Sequence, residues 1–442
     1  MSRPLSRRAI FAQAWPIMLG QTTVPLVGLV DTAVVGRTGD AAALAGVALG
    51  AAIVNFLFWS FGFLRMGMTG LTAQAEGAGD AAEVHAMLAR GLAAGLALGV
   101  LLVLLQTVLI PASLALLSGG EGLDAAARGY VTARFLGAPA ALGVFAINGW
   151  LLGLGRTRAA LLLQIVMNVV NAGLDTLFVW QFGMGAEGVG LGTALAEWTA
   201  LAVGLVIAAR LLGGRALFDL RGKGVFALEA MRRLFGVNAA IMIRTVALLT
   251  LFAWFTNAGA RLGTVPLAAN HVLLQFVSVS AFVLDGFAFT AESRVGIAIG
   301  GGARADFARA VRLTGEFSLA AGLFFAAAFL IAGPPLIDVL TTDPEVRATA
   351  RAFLPMAAAV PLVGMPAWLL DGVFIGAAQG HALRNAALLA TGLYIATDLL
   401  FRPFGLAGAW TAFVLAYVYR AAALGVYWPG LSRSIAEPAP RS

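Results

Sequence analysis

The chain has 442 residues, of which 60% are hydrophobic and only 12% charged, and its mean hydropathy is +0.90. A soluble domain carries about 25% charged residues, so this composition excludes a soluble globular protein and describes an integral membrane one. The absence of cysteine removes disulfides, thiolate nucleophiles and Cys-based metal sites, and the net charge of +7 is almost wholly arginine, with Lys223 the only lysine. In a membrane protein such an excess belongs to cytoplasmic loops, and no nucleic-acid partner is expected.

Taken in order, apolar runs of about 20 residues or more predict an all-α integral membrane protein of twelve transmembrane helices. They lie near 11–35, 43–75, 88–112, 131–153, 159–182, 188–212, 237–260, 266–298, 313–333, 353–378, 385–401 and 406–428. The first run continues through Val35, too long for the core of a signal peptide, so no cleavable leader is expected. Pro16 and Pro25 lie inside it, each removing a backbone donor and permitting a bend. Connections on alternate sides differ in charge. One side collects Arg7, Arg8, Arg90, Arg156 and Arg158 and the polar stretch 213–233, while the other has fewer arginines and more acids. The positive-inside rule then puts both termini in the cytoplasm, and an even number of spans, which leaves both on one side, agrees.

The longest polar connection falls at the midpoint of the chain, and the two sides of it repeat. Gly153-Leu-Gly-Arg-Thr-Arg158 matches Gly376-Ala-Ala-Gln-Gly-His381 at a shift of 223, which also lays Asn148 on Asp371 and Asp175 on Asp398. A shift of 224 lays Arg37-Thr-Gly39 on Arg261-Leu-Gly263, and Gly190-Leu-Gly-Thr193 falls on Gly408-Ala-Trp-Thr411. The expected plan is therefore a first six-helix lobe over 1–215, a cytoplasmic linker over 216–236 and a second six-helix lobe over 237–442. The lobes would be related by a pseudo-two-fold axis along the membrane normal, as in a transporter with its site between bundles.

In the fifth span, Gln164, Asn168, Asn171 and Asp175 are spaced four, three and four apart, one stripe of a helix otherwise lined by apolar residues. A carboxylate in mid-bilayer costs roughly 2.5–3.5 kcal/mol on insertion scales, so it faces protein or a water-filled cavity. The first helix carries Asp31, whose repeat partner is Phe255, and Asn171 pairs with Tyr394. The first half thus holds an acidic, amide-rich set of Asp31, Asn148, Asn171 and Asp175, with Tyr130 and Thr193, suited to a proton or small cation. The second half holds Arg244, Asp285, Glu292 and Asp371, which reads as an internal Arg–carboxylate network with a structural or gating role.

Blander explanations cover other features. A lone intramembrane Asn or Thr usually joins helices, for about 0.6 kcal/mol. Gly91, Gly95 and Gly99 make a close-packing stripe. Gly188-Val-Gly-Leu-Gly192 imitates a nucleotide fingerprint but opens a membrane span with no strand before it. His85, His271 and His381 are isolated, and no phosphate-binding loop, zinc-protease or serine-hydrolase motif occurs, so neither an enzyme nor a cofactor is expected. A passive channel would not need paired lobes.

Leu29-Val-Asp31-Thr-Ala-Val-Val-Gly36, Asn148-Gly-Trp-Leu-Leu-Gly-Leu-Gly155 and Asn168-x-x-Asn-x-x-x-Asp175 resemble the multidrug and toxic compound extrusion (MATE) family. Thr69-Gly-Leu-Thr-Ala-Gln74, Leu284-Asp-Gly-Phe-Ala-Phe289 and Leu370-Asp-Gly-Val-Phe-Ile-Gly376 point to its DinF branch. The resemblance covers essentially the whole chain. It implies a two-lobed, twelve-helix antiporter of a bacterial cytoplasmic membrane, acting as a monomer among membrane lipids. Such a protein exports amphipathic, often cationic compounds in exchange for H⁺, or alternatively Na⁺. The family's cation site maps onto Asp31, Asn171, Asp175 and Thr193, with Tyr130, Asn148, Asn168 and Gln164 as cavity positions. Val27 departs from relatives that carry Tyr there, and no full acidic site is found in the second lobe. The rival within the superfamily is a lipid or glycolipid flippase, for which several cavity arginines would be expected; Arg244 is the one that fits.

Overall fold

The computed structural model describes residues 5–117, 121–213 and 224–435. Of the expected linker, 216–223 lie outside the described residues. The helices are α1 (Arg7–Gly36), α2 (Ala41–Trp59), α3 (Gly62–Gly77), α4 (Ala81–Leu117), α5 (Glu121–Phe135), α6 (Ala138–Gly153), α7 (Thr157–Thr176), α8 (Gly185–Leu211), α9 (Leu228–Leu262), α10 (Thr264–Gly300), α11 (Arg304–Leu340), α12 (Pro344–Gly376), α13 (Gly380–Phe401) and α14 (Gly405–Ser434). No strand occurs among the described residues.

Ten stretches among them are long and apolar enough to cross a membrane, and α5 with α6, bent by 52°, makes an eleventh. One of the ten, Gly380–Ser434, is 55 residues long and holds both α13 and α14. At 1.5 Å per residue it measures roughly 80 Å, enough for two crossings. It breaks at a 3₁₀ turn, Arg402–Phe404, followed by Gly405 at φ 57°. Counted as two, it brings the spans to the expected twelve.

By contacts the chain divides into two units, Leu19–Thr72 with Asp80–Leu234, and Phe235–Ser442 with Met1–Met18 and Ala73–Gly79. The expected lobes run 1–215 and 237–442, so the start of α1 and the end of α3 group with later residues instead. Packing explains this. Ile10 and Ala14 share a core with Phe287 and Leu313. A Cβ on Gly77 would overlap the Ile297 carbonyl, and one on Gly300 the Gln74 carbonyl. Gln74 also donates to the Gly376 carbonyl at 3.1 Å.

In the first of these units α4 packs on α6, α7 on α8, and α5 between α2 and α8. The stripe of Gly91, Gly95 and Gly99 meets Met68, the Leu142 carbonyl and Pro139. Helix α1 runs unbroken through Pro16 and Pro25, where a bend was permitted. The backbone near Pro25 gains polar partners: Thr22 and Thr23 donate to the Leu19 and Gly20 carbonyls at 2.9 and 2.8 Å, and Asn168 donates to the Thr23 carbonyl at 3.1 Å. The second unit has an aromatic core in which Phe255 stacks on Phe413 and meets Trp410 edge-on.

The repeat is visible in backbone geometry. In the first half the amides of Leu154, Gly155 and Arg156 donate to the carbonyls of Trp150, Leu152 and Leu151. In the second, Ala377, Ala378 and Gln379 donate to Val373, Ile375 and Phe374, the same helix-ending turn 223 residues later. Gly155 sits at φ 69° and its counterpart Ala378 at φ 53°, a left-handed conformation that costs an L side chain roughly 1–2 kcal/mol. Ala378→Gly is expected to raise the thermal stability of the detergent-solubilised protein by about 1 kcal/mol and Gly155→Ala to lower it by a similar amount. Melting curves of the two variants check the opposite signs.

Candidate ion-coupling site

Helix α7 places Asn171 and Asp175 one turn apart, and α8 and α1 bring Thr193 and Asp31 to them. All four are buried, with exposures of 1%, 0%, 5% and 3% respectively. Asn171 spends both amide hydrogens, donating to Asp175 Oδ2 and to Thr193 Oγ1, each at 2.9 Å. The Thr193 hydroxyl donates to the Val189 carbonyl at 3.0 Å. The Asp31 carboxyl stands beside Asp175 and Asn171. Three buried oxygens are left without a donor: Asp31 Oδ1, Asn171 Oδ1 and Asp175 Oδ1. A group of acceptors with no donor left is unstable in an apolar interior unless a proton or cation joins it.

Local structure fixes this geometry. A Cβ at position 192 would overlap Asp175 Oδ1, so Gly192 lets the carboxyl stand against α8. Beyond Asp175, α7 widens into a π-helical turn, Leu177–Gln181, a feature frequent at functional sites. That turn carries Trp180, whose Nε1 donates to the Val34 carbonyl of α1 at 3.0 Å and whose ring meets Arg37 at 5.9 Å. The end of α1 is thereby tied to α7 beside both aspartates.

Among the other expected positions, Tyr130 on α5 is buried and electrostatically coupled to Asp31 and Asp175. Gln164 and Asn168 form a separate chain, Gln164 Nε2 to Asn168 Oδ1 at 2.9 Å and Asn168 on to the Thr23 carbonyl, so the lower part of the stripe binds α1 backbone. Asn148, on α6, keeps an unpaired buried Oδ1.

Two residues absent from the sequence reading stand beside the cluster. Arg134 near the end of α5 and Glu197 in α8 make a buried ion pair at 2.8 Å. Both lie deep within apolar spans, and that depth, with their opposite signs, was the available signal.

In the second unit Arg244 binds Asp371 and Arg420 joins the same carboxylate at 3.3 Å. Arg420 is the third residue that the sequence reading passed over. Asp285 and Arg420 both act electrostatically on Tyr417, and Glu292 is buried on α10, where its backbone carbonyl faces Gly376. The repeat counterpart of Asp175, Asp398, receives Arg261 Nη2 and Trp254 Nε1, each at 2.8 Å. No group of three or more His, Cys, Asp or Glu suited to a metal occurs among the described residues.

Long apolar helices in two repeats, with a donor-poor polar cluster buried in the first and neutralised carboxylates in the second, define a multi-pass membrane transporter. The family model described as MatE matches residues 16–177 and 240–400, two blocks at the spacing of the internal repeat. DNA damage-inducible protein F of Escherichia coli (strain K12) is 35% identical over 423 residues, 96% of this chain and 92% of that protein. Two solved structures share the fold. One is a MOP superfamily transporter from Pyrococcus furiosus, described by a reverse polarity of its binding pocket (19% identity, 98% of this chain and 97% of that one, TM-score 0.83). The other is the Vibrio cholerae MATE transporter VcmN in the bent form (19% identity, 97% of each chain, TM-score 0.85). The chain belongs to the MATE family, in its DinF branch. It is a transporter and not an enzyme, of a family that runs on ion gradients and not on cofactors.

Two outcomes follow from the geometry. Asp371→Asn leaves two buried guanidiniums short of their counter-charge and is expected to cost about 3–5 kcal/mol of stability, with Arg244→Ala in the same chain restoring part of it. Strictly additive losses in thermal denaturation would show that the residues are not coupled. Gly192→Ala pushes a methyl group into Asp175 Oδ1 and is expected to reduce efflux by an order of magnitude or more, about the loss of one well-placed interaction, while the protein still inserts.

Proposed function

We propose that the protein is a cation-coupled antiporter of the bacterial cytoplasmic membrane. It exports amphipathic, often cationic small molecules by alternating access, acts as a monomer and keeps both termini in the cytoplasm. The coupling ion is H⁺, taken up by Asp31 and Asp175 with Asn171 and Thr193 as their partners.

The observation that carries this reading is the trio of buried acceptors without a donor, Asp31 Oδ1, Asn171 Oδ1 and Asp175 Oδ1. Two neighbouring carboxyl groups hydrogen-bond to each other only when one of them holds a proton. With the proton in place, the pair carries one negative charge fewer and α1 stays against α7. When it leaves, two like charges face each other in low dielectric, α1 and α7 separate, and a cationic substrate finds negative charge to bind. Substrate and proton thus compete, which is the requirement for exchange. Inward movement of one charge is worth about 2.3 kcal/mol per 100 mV of membrane potential. The flippase alternative needs arginines available to an anionic headgroup, whereas Arg244 and Arg420 are both bound to Asp371.

In vesicles under an imposed proton gradient and nominally sodium-free medium, efflux is expected to proceed and to slow as external pH rises from mildly acidic to mildly alkaline. Asp31→Asn is expected to abolish gradient-driven efflux while leaving insertion intact. Transport that stays silent without Na⁺ and returns on adding it, whatever the pH, would make the same four residues a sodium site.

A further inference from the structure

The ion pair between Arg134 and Glu197 has no place in the exchange described above, yet both of its charges are buried. Arg134 is 7% exposed and Glu197 6%, and their side chains meet at 2.8 Å. The guanidinium lies over the Phe58 ring at 5.3 Å from its centroid, so apolar surface covers it on the α2 side. Gly137, at the break between α5 and α6, admits the Glu197 carboxyl where a Cβ would overlap it. Trp198 Nε1 then donates to the Leu136 carbonyl at 3.1 Å, holding the broken span from α8. The pair is thus built into a fixed place.

Its charge reaches the coupling site. Glu197 lies one helical turn beyond Thr193, which accepts from Asn171, and Arg134 lies one turn beyond Tyr130, whose carbonyl backs onto Gly190 two residues before the Gly192 that meets Asp175. The ionisable groups of this pocket are Asp31 on α1, Tyr130 and Arg134 on α5, Asp175 on α7 and Glu197 on α8. Helices α2 and α6, which pack on α5 and α8, carry none. On α4 they are confined to the beginning, where Arg90 is bound to Glu83.

We infer that Arg134, held by Glu197, is the internal counter-charge of the Asp31–Asp175 pair, the group that lets the pair release its proton inside an apolar span. This deepens the proton-coupling reading and rests on it. Without a nearby cation, two carboxylates in low dielectric keep a proton at any working pH, and an exchanger that never releases its proton does not turn over. With a bare, unshared arginine the proton would be lost too readily. Glu197 sets the balance by taking part of the guanidinium's field, which makes Arg134 and Glu197 positioning residues for exchange.

Two variants carry the test. Glu197→Gln gives Arg134's undivided charge to the aspartates, and Arg134→Gln with Glu197→Gln removes the pair without leaving a buried ion. The readout is the infrared carbonyl stretch of protonated carboxyl groups, titrated with pH in the solubilised protein and assigned to the pair by its loss in Asp31→Asn. The midpoint is expected to fall by about one pH unit in Glu197→Gln and to rise by about one unit in the double variant, a tenfold change in proton affinity either way. A merely structural pair would lower stability and efflux while leaving both midpoints at the wild-type value, and that result overturns the inference. If Glu197→Gln fails to fold, the double variant decides alone. Failure of proton coupling itself is read separately, by sodium-dependent efflux in vesicles, because the infrared midpoint reports the pair whether or not it drives transport.

Discussion

A carboxyl group among apolar helices has to be neutralised by a cation, a proton or an ion, and the described helices meet that constraint in two ways. Glu197 has Arg134, Asp371 has Arg244 and Arg420, and Asp398 has Arg261 and the Trp254 indole. Each of these carboxylates is bound by at least one guanidinium, which stays charged at every physiological pH. Asp31 and Asp175 have each other, an asparagine with both hydrogens committed and a threonine hydroxyl turned away. In the proton-coupled exchange proposed above, what they lack comes and goes, and that separates this pair from the structural ion pairs.

The repeat sharpens the contrast, because the same positions are filled differently in the two halves. Asp31 corresponds to Phe255, Asn171 to Tyr394 and Gly192 to Trp410. Phe255 and Trp410 lie with ring centroids 5.0 Å apart and no exposure, so the space that holds carboxyls in one half is filled by packed rings in the other. The remaining carboxylate, Asp398, is fixed by Arg261, whereas the corresponding Arg37 lies over Trp180. Matching positions thus hold a buried cluster of acids and amides in one copy, and packed rings beside an arginine-bound carboxylate in the other.

Much of this was legible beforehand. Hydrophobic runs located the spans because the bilayer imposes a length, and the polar stripe of α7 stood out because Asn171 and Asp175 share a helix face. The glycine stripe of α4 read correctly as close packing. Three things were not legible. The start of α1 and the end of α3 pack with the later helices, which depends on long-range contacts such as Gly77 on Ile297 that no local pattern encodes. Arg134, Glu197 and Arg420 were passed over because each is a single charge in a long apolar run, and partners 63 residues apart in sequence become a pair only when α5 and α8 are set side by side. The stripe also divides in two, since Gln164 and Asn168 turn to the α1 backbone while Asn171 and Asp175 turn to Asp31.

Helix α8 shows why the site is so closely specified. Gly188, Gly190 and Gly192 look like a nucleotide fingerprint in the sequence, and the structure gives each a different task. At 100° per residue, positions 188 and 192 lie about 40° apart while 190 points nearly the other way. Gly188 accordingly backs onto Phe178 of the π-helical turn and Gly192 onto Asp175, both on the α7 side, whereas Gly190 meets the Tyr130 carbonyl of α5. Glu197 continues the α5 face toward the break at Leu136, and Thr193, one turn before Glu197 and about 40° from it, accepts from Asn171 of α7. One stretch of α8 therefore carries both the Thr193 that meets Asn171 and the Glu197 that meets Arg134, so a rotation of α8 that disturbs either contact must disturb both.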